Sequence, residues 1–477
     1  MRKWLKKIAG ETGGAEIAEA AVRVELAGNQ GTRRQIGKDR RRERGVTILI
    51  TAVAMVVMLA MAALAIDVVT LYVASSEAQK NVDAAALAGA KAFVNSGFTS
   101  WQLGDPATGA AQTQVCNGST GLADYQAQAA AQKNSIAGSA PTTVTTSCTF
   151  PTAGNPQITV IATRTGLPTF FARIWGAGAS SVSATAKAEA YNPSGSTTVP
   201  IQVHSVKPWL IANCDPNVKV RPCPPGKTIV DPAANYALNN PAAYIGKPFV
   251  FIQAKNPPTP PEPEYYALDL VPQATDCPSS SAAPAGSCNQ LGSTAYHDNI
   301  ACANPALTLS CNDTVNIDPG TATNAMRVKT REGTQCLIHT TDKGNYPPTS
   351  CTLDTDPDCF VSGPPGSPVT INGGASNPNP LMRVANISRS DSVVTVPIFD
   401  YQTAAANPCP GGVCGGTAIV TGFLQLGIQS IGLPPGGGAA GKIGAVILNA
   451  SGCDPAAAGN PAVSGGGVSP VPVRLTR

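Results

Sequence analysis

Histidine is almost absent: His204, His297 and His339 are the only three in 477 residues, and each stands far from the others. That leaves little for an imidazole acid–base relay or a histidine-rich metal centre. No Cys-x-x-Cys, no Gly-x-Ser-x-Gly and no His-Glu-x-x-His occurs. The paired-cysteine zinc, serine-hydrolase and zincin signatures are therefore missing together. Cysteine itself is lacking from the first 115 residues and then appears 14 times, from Cys116 to Cys453. Charge is lacking altogether between Val46 and Ile66, where Thr47 and Thr51 are the only polar side chains. No interleaving of aromatic and basic residues points to nucleic acid.

The uncharged run sets the expected topology. Its 21 residues, at about 1.5 Å each, make a helix long enough for a hydrocarbon layer of about 30 Å. Arg40, Arg41, Arg42 and Arg44 crowd its N-terminal edge, and residues 1–45 carry 12 Lys/Arg against 6 Asp/Glu, leaving 21 against 23 for the rest. The positive-inside rule then keeps residues 1–45 in the cytoplasm and sends residues 67–477 across. Two competitors to a retained anchor are a signal peptide cut near Ala63-Leu64-Ala65 and a prepilin-type leader cut after Gly45. The run is longer than a signal core, and Ile50 stands where type IV prepilins carry Glu. A single retained anchor is the reading. An even number of cysteines, all beyond it, suits an oxidising compartment and up to seven disulfides. Close pairs such as Cys302 with Cys311, Cys351 with Cys359 and Cys409 with Cys414 are candidates for short bridges.

Beyond Asp67 the apolar pattern becomes one-sided. Val68, Leu71, Ser75, Ala78, Val82, Ala85 and Gly89 recur at three- and four-residue steps, which is one face of a helix. Ser75, Ala78, Val82, Ala85 and Gly89 form a narrow stripe of small side chains, fit for close approach by a second helix. It serves either a partner helix, which is the expectation, or the chain's own domain.

The order Gly45, apolar span, Ala65-Ile66-Asp67-Val68, Leu71-Tyr72-Val73, Gln79 and Asp83 to Ala90, followed by Pro168 to Gly176 and Val182 to Ala190, resembles Tad/Flp pilus-assembly proteins of the TadG-like kind. The resemblance covers about residues 40–191. It implies a bacterial inner-membrane protein that works with other pilus-assembly proteins. Many such chains carry a metal-binding adhesion domain with an Asp-x-Ser-x-Ser string. Here Asp391-Ser392-Val393 is the nearest approach and departs from it.

The expected fold class is α+β: a basic tail (1–45), a transmembrane helix (46–66), a TadG-like helix and small α+β unit (67–192), and a Pro/Gly/Cys-rich, mostly antiparallel β domain (193–477). In the third part, 123–137 reads as helix and 157–163 and 181–191 as strands. A short helix after Pro168 carries Phe170, Phe171, Ile174 and Trp175, read as a core plug with lipid contact as the competitor. In the last part, 37 of the 42 prolines argue against long helices. Strands are expected at 249–252, 267–271, 325–329, 393–398, 418–421, 422–428 and 443–448, in a sandwich or open sheet. Prolines between Asn256 and Glu264 read as an extended polyproline spacer.

Two further strings are weighed and set aside. Gly436 to Lys442 copies the start of a phosphate loop but has Ile443 where Ser or Thr would hold magnesium. Asp354, Asp356 and Asp358 alternate as in a calcium loop without its glycine, and read as solvated turn acids. The expectation is a non-enzymatic pilus-assembly component with no cofactor and no small-molecule substrate. The alternative is a membrane-tethered periplasmic enzyme or ligand-binding protein with a site between 200 and 470.

Overall fold

A computed structural model describes residues 36–100, 108–151, 155–169, 171, 178–194, 196–218, 223–254, 263–274, 294–339, 357–362, 368–377, 379–384, 386–387, 390–400, 415–432, 441–460, 462–464 and 469–476. They fall into two compact units. One comprises Met1–Val68 with Phe170–Gly176, the other Val69–Thr169 with Ala177–Arg477.

Helix α1 runs from Ile36 to Asn95. None of its 60 residues is proline, so no backbone donor is missing and no turn is blocked. It ends where Ser96 and Gly97 fold back, their N–H groups donating to Ala92 and Val94 carbonyls. Gly97 takes a left-handed φ of +77°, and a Cβ there would lie 2.5 Å from the Leu448 carbonyl oxygen, so only glycine fits.

In the first unit the side chains of α1 from Val46 to Ile66 are exposed almost throughout, with Ala63 an exception. This is the one helix among the described residues long and apolar enough to cross a membrane. Asp67, at its end, is buried, and its Oδ2 accepts the Phe171 N–H at 3.0 Å. Phe171 is a bend; the other aromatics expected in a short helix after Pro168 lie outside the described residues.

The second unit contains the last part of α1, then α2 (Thr108–Val115), α3 (Leu122–Lys133), β1 (Thr143–Thr149), β2 (Gln157–Pro168) and β3 (Ala179–Ala190). After these come β4 (Trp209–Ala212), β5 (Pro248–Gln253), β6 (Glu264–Ala267), α4 (Ala295–Ala301), α5 (Asn324–Leu337), β7 (Val393–Phe399), β8 (Gly416–Ile431), β9 (Lys442–Gly452) and β10 (Val473–Thr476).

One antiparallel sheet, ordered β1-β2-β3-β10, brings the last strand of the chain back to the first three. Arg474 fastens it, with Nε donating to Glu189 Oε1 at 2.6 Å and the guanidinium over the Tyr191 ring. The stripe on α1 meets α3 and this sheet. Ala78, Val82 and Ala85 share a core with Ala123, Ala127, Ile158 and Val160, and Asn81 closes the end of α3 by donating to the Ala131 and Asn134 carbonyls at 2.8 and 2.7 Å. Alanines let the backbones come close enough for such contacts. The stripe is therefore filled from within the chain, and Ser75, expected in it, is exposed while Ala74 is buried.

Six of the remaining strands close on themselves, with Thr314–Ile317 added alongside β8. β8 pairs with β7 on one side and β9 on the other; β9 continues to β5, β5 to β6, β6 to β4, and β4 returns to β7. This is a six-stranded barrel with four antiparallel and two parallel pairs, rather than the sandwich or open sheet expected. Closure removes the exposed edges that an open sheet would present. Alternate residues fill one core: Trp209 and Ile211, Phe249 and Phe251, Tyr265 and Ala267, Val394, Val396 and Ile398, Leu424, Leu426 and Ile428, Ile443, Ala445 and Ile447. The other face of several strands is covered as well, Leu210, Tyr266, Phe399 and Phe423 joining a second cluster. Burial on both faces explains why these segments read as unbroken apolar runs.

Four local expectations are corrected. Residues 325–329 lie in α5, a helix started by Thr323, whose Oγ1 accepts the Met326 N–H at 3.2 Å. Residues 418–428 form one strand, and β6 ends at Ala267, with Leu268 making only an isolated bridge to Ile317. Cys311 is bonded to Cys453, not to Cys302. Cys116–Cys148 and Cys214–Cys223 are further bridges, and Cys302, Cys336 and Cys359 are disulfide-bonded too. Cys351, Cys409 and Cys414, and most of the Asn256–Glu264 stretch, lie outside the described residues.

A polar seam joins the end of α1 to the barrel. Thr99 Oγ1 donates to Asn449 Oδ1 at 2.6 Å. The Asn449 amide donates to Gln425 Oε1 at 3.0 Å and to the Val94 carbonyl. Asn192 Nδ2 reaches the Ala450 carbonyl at 3.2 Å. Buried hydrogen bonds of this kind favour one arrangement of the groups they tie, although Gln425 Nε2 has no hydrogen-bond partner among the described residues.

Candidate functional site

Two features stand out, one in each unit. The first is the apolar surface of α1. Ile48 is 69 % exposed, Leu59 64 % and Met61 68 %. So much contiguous apolar surface on one helix is costly in water and favourable in hydrocarbon. At its far end Asp67 is satisfied by a backbone donor, which an Ala at that position could not replace. Asp67→Ala is expected to leave the Phe171 N–H unpaired, at a local cost of about 1–3 kcal/mol, while Asp67→Asn retains an acceptor oxygen. Hydrogen exchange at the Phe171 amide should be faster in the first variant and near normal in the second. Equal protection in both would remove this role for the carboxylate.

The second feature is a cavity of ≈ 170 Å³ beside one end of the barrel. Ser205 and Lys207 enter it from the segment before β4, Ala301 and Ala303 from the end of α4, Leu337 and His339 from the end of α5, and Asp391, Val393 and Val394 from the start of β7. Lys207 is held in place by its own N–H, which donates to the Thr395 carbonyl at 2.9 Å. The residue is 4 % exposed, and Nζ donates to the Asn299 and Cys302 carbonyls at 3.1 and 2.7 Å. Carbonyls at a helix C-terminus attract a cation. Burial nevertheless pushes the Lys207 ammonium down to about 7, with Asp391 pulling the other way.

His339 follows α5 with a left-handed φ of +57°. It is buried, and its Nε2 lies 3.3 Å from Asp391 Oδ2. Neither ring nitrogen has a hydrogen-bond partner among the described residues. Ser205 is also left-handed, with φ +53°. Non-glycine residues held there cost free energy that the surrounding fold must supply.

The Lys207 shift has a consequence for stability. An unfolded chain keeps this proton up to the ordinary 10.5, whereas the folded chain loses it near 7. Between those pH values the unfolded state binds more protons, so stability rises with pH, by at most about 1.4 kcal/mol per unit for one proton. Lys207→Met should flatten the urea midpoint against pH over 7–10. An unchanged slope would show that the amine titrates normally.

The other residues singled out from the sequence are scattered. Ala78, Val82, Ala85 and Gly89 are buried in the α1–α3 core. His297 Nδ1 is paired with Asp298 at 2.8 Å, and His204 Nδ1 lies near the Pro305 carbonyl. Asp358 is not a solvated turn acid. It is buried and accepts the Gly374 N–H, the Asn377 amide and the Ser390 hydroxyl. Lys442 opens a strand, as expected from the failed phosphate loop. Asp124 lies by Cys116 and Cys148, but those sulfurs are bonded to each other. The carboxylate is taken by the Asn117 and Gly118 N–H groups and the Thr146 hydroxyl, so no thiolate metal site exists there. Lys207 went unnoticed in the sequence, and His339 and Asp391 were noted there only singly, because nothing local marks residues that meet only through the fold.

Residues 45–92 match the family model Tad, described as "Putative Flp pilus-assembly TadE/G-like". The match takes in the whole uncharged span and the buried stripe that follows it. No curated protein and no solved structure matches the chain.

Proposed function

We propose that this chain is a non-enzymatic component of a Tad/Flp-type pilus assembly or secretion machinery, anchored in a bacterial inner membrane by a single pass. Residues 1–45 lie in the cytoplasm, and the part from Asp67 onward is presented in the periplasm for protein–protein contacts. The match of residues 45–92 to the Tad family model carries the reading. It falls on a helix whose apolar side chains are exposed over one hydrocarbon thickness. The orientation is supported by the arginines at Arg40–Arg44 and by the confinement of all cysteines to one side.

Helix packing with other assembly proteins falls to the exposed turns of α1 before Ala74, because Ala78, Val82, Ala85 and Gly89 are covered by the chain's own α3 and β2. The basic tail sets orientation and touches anionic lipid. Affinity purification of the full chain from crosslinked membranes should recover other pilus-assembly membrane proteins. Clean recovery of the chain alone, with crosslinks only to itself, would count against an assembly role.

A second reading, a membrane-tethered protein that binds a ligand between residues 200 and 470, is favoured by one observation. That observation is the cavity around Lys207.

A further inference from the structure

We propose that the cavity beside the barrel binds a small monocarboxylate with a short apolar body, its anionic head between Lys207 and His339 and its body against Leu337, Val393 and Val394. This does not depend on the pilus-assembly reading, because it rests on the second unit alone.

Lys207 is a buried amine whose Nζ is held by two carbonyl oxygens, with Asp391 the carboxylate that favours its charged form. Its two acceptors account for two of the three N–H bonds of an ammonium, and the third is available to a ligand. A buried charge is tolerable when paired. A carboxylate supplies the pairing that a neutral molecule does not.

His339 adds a second donor. Asp391, on the rim with its side chain 58 % exposed, sits against Nε2. That leaves Nδ1, without a partner among the described residues, to serve the other carboxylate oxygen when the ring is protonated. The same Asp391 charge disfavours a ligand carrying two negative charges, which argues for a monoanion over phosphate.

Size and lining set the rest. A cavity of about 150 Å³ accommodates benzene, so ≈ 170 Å³ suits a body of similar bulk. Ala301, Leu337, Val393 and Val394 give it apolar walls. Ser205 and His339, two of the eight non-glycine residues with positive φ among those described, put left-handed backbone in the cavity wall. A lysine serving only to cap α4 would explain the carbonyl contacts, but neither the cavity nor the unsatisfied imidazole nitrogen.

The test is calorimetric titration of the full chain in detergent with benzoate and butyrate, against benzamide and butyramide as neutral isosteres. Measurements run at pH 8 in two buffers of different ionisation enthalpy. Saturable binding of a carboxylate, at least ten-fold tighter than its amide, is expected. Proton uptake should accompany it, because a bound anion raises the affinity of the Lys207 amine for its proton. Asp391 and His339 are the other titratable groups facing the site.

Lys207→Met should abolish both binding and uptake. Ala303→Phe, at an exposed rim position, should block binding without touching Lys207 and so guards against a folding artefact. Equal affinity for acid and amide, retained binding in Lys207→Met, or no saturable binding to a chain with intact disulfides would each overturn the proposal.

Discussion

Gly89→Leu is expected to destabilise the packing of α1 on α3 and β2 severely. A Cβ at position 89 would lie 2.6 Å from Ile158 Cδ1, 3.2 Å from the Ala123 carbonyl oxygen and 3.2 Å from Ala127 Cβ. Ile158 can turn away, but the backbone of α3 cannot retreat without undoing the Asn81 bonds that hold its end. Overpacking of this kind costs about 1–3 kcal/mol for the first methylenes, and leucine adds more. Ser75→Leu, three turns and more earlier on the same helix but exposed, should be silent. Thermal melting and protease resistance of the detergent-solubilised chain separate the two outcomes. If Gly89→Leu melted normally yet lost its crosslinks to other membrane proteins, the stripe would belong to a partner after all.

The second large effect concerns the bridge between Cys311 and Cys453, which spans 142 residues. In the chain-entropy account, a loop of that length is worth about 5 kcal/mol, against about 2.5 kcal/mol for the nine-residue separation of Cys214 and Cys223. It also joins Cys311, just after the strand Thr308–Ser310, to Cys453 at the end of β9. It therefore ties the segment between β6 and β7 to the end of the barrel's last strand. The double variant Cys311→Ser/Cys453→Ser should lower the urea midpoint more than Cys214→Ser/Cys223→Ser, with a deficit of about 2–5 kcal/mol. A larger loss from the short bridge would mean that native-state contacts, and not loop length, set the contribution.

Legibility in the sequence followed the range of the interactions. The long apolar helix could be read because 21 consecutive residues carry no charge, and the match at residues 45–92 falls on them. Strands β5, β7 and β9 could be read because their residues are apolar, β-branched and bounded by turns. Closure of the barrel was hidden, since it depends on β8 accepting β7 and β9 at once, and no local pattern encodes a second neighbour. Residues 325–329 misled because a five-residue alternation fits a strand and one side of a short helix equally well. What decided it was Thr323 as N-cap. The small-residue stripe was visible, but its occupant was not: a face of Ala and Gly suits a neighbouring helix whether that helix is α3 or another protein's. Lys207, His339 and Asp391 needed the full tertiary structure.

Protease accessibility in spheroplasts, with an epitope tag at each end of the chain, tests the single-anchor topology directly. The account predicts that external protease removes the C-terminal tag and leaves the N-terminal tag attached to a protected fragment ending near residue 67. Loss of the N-terminal tag with survival of the C-terminal one would invert the orientation and contradict the account at its root.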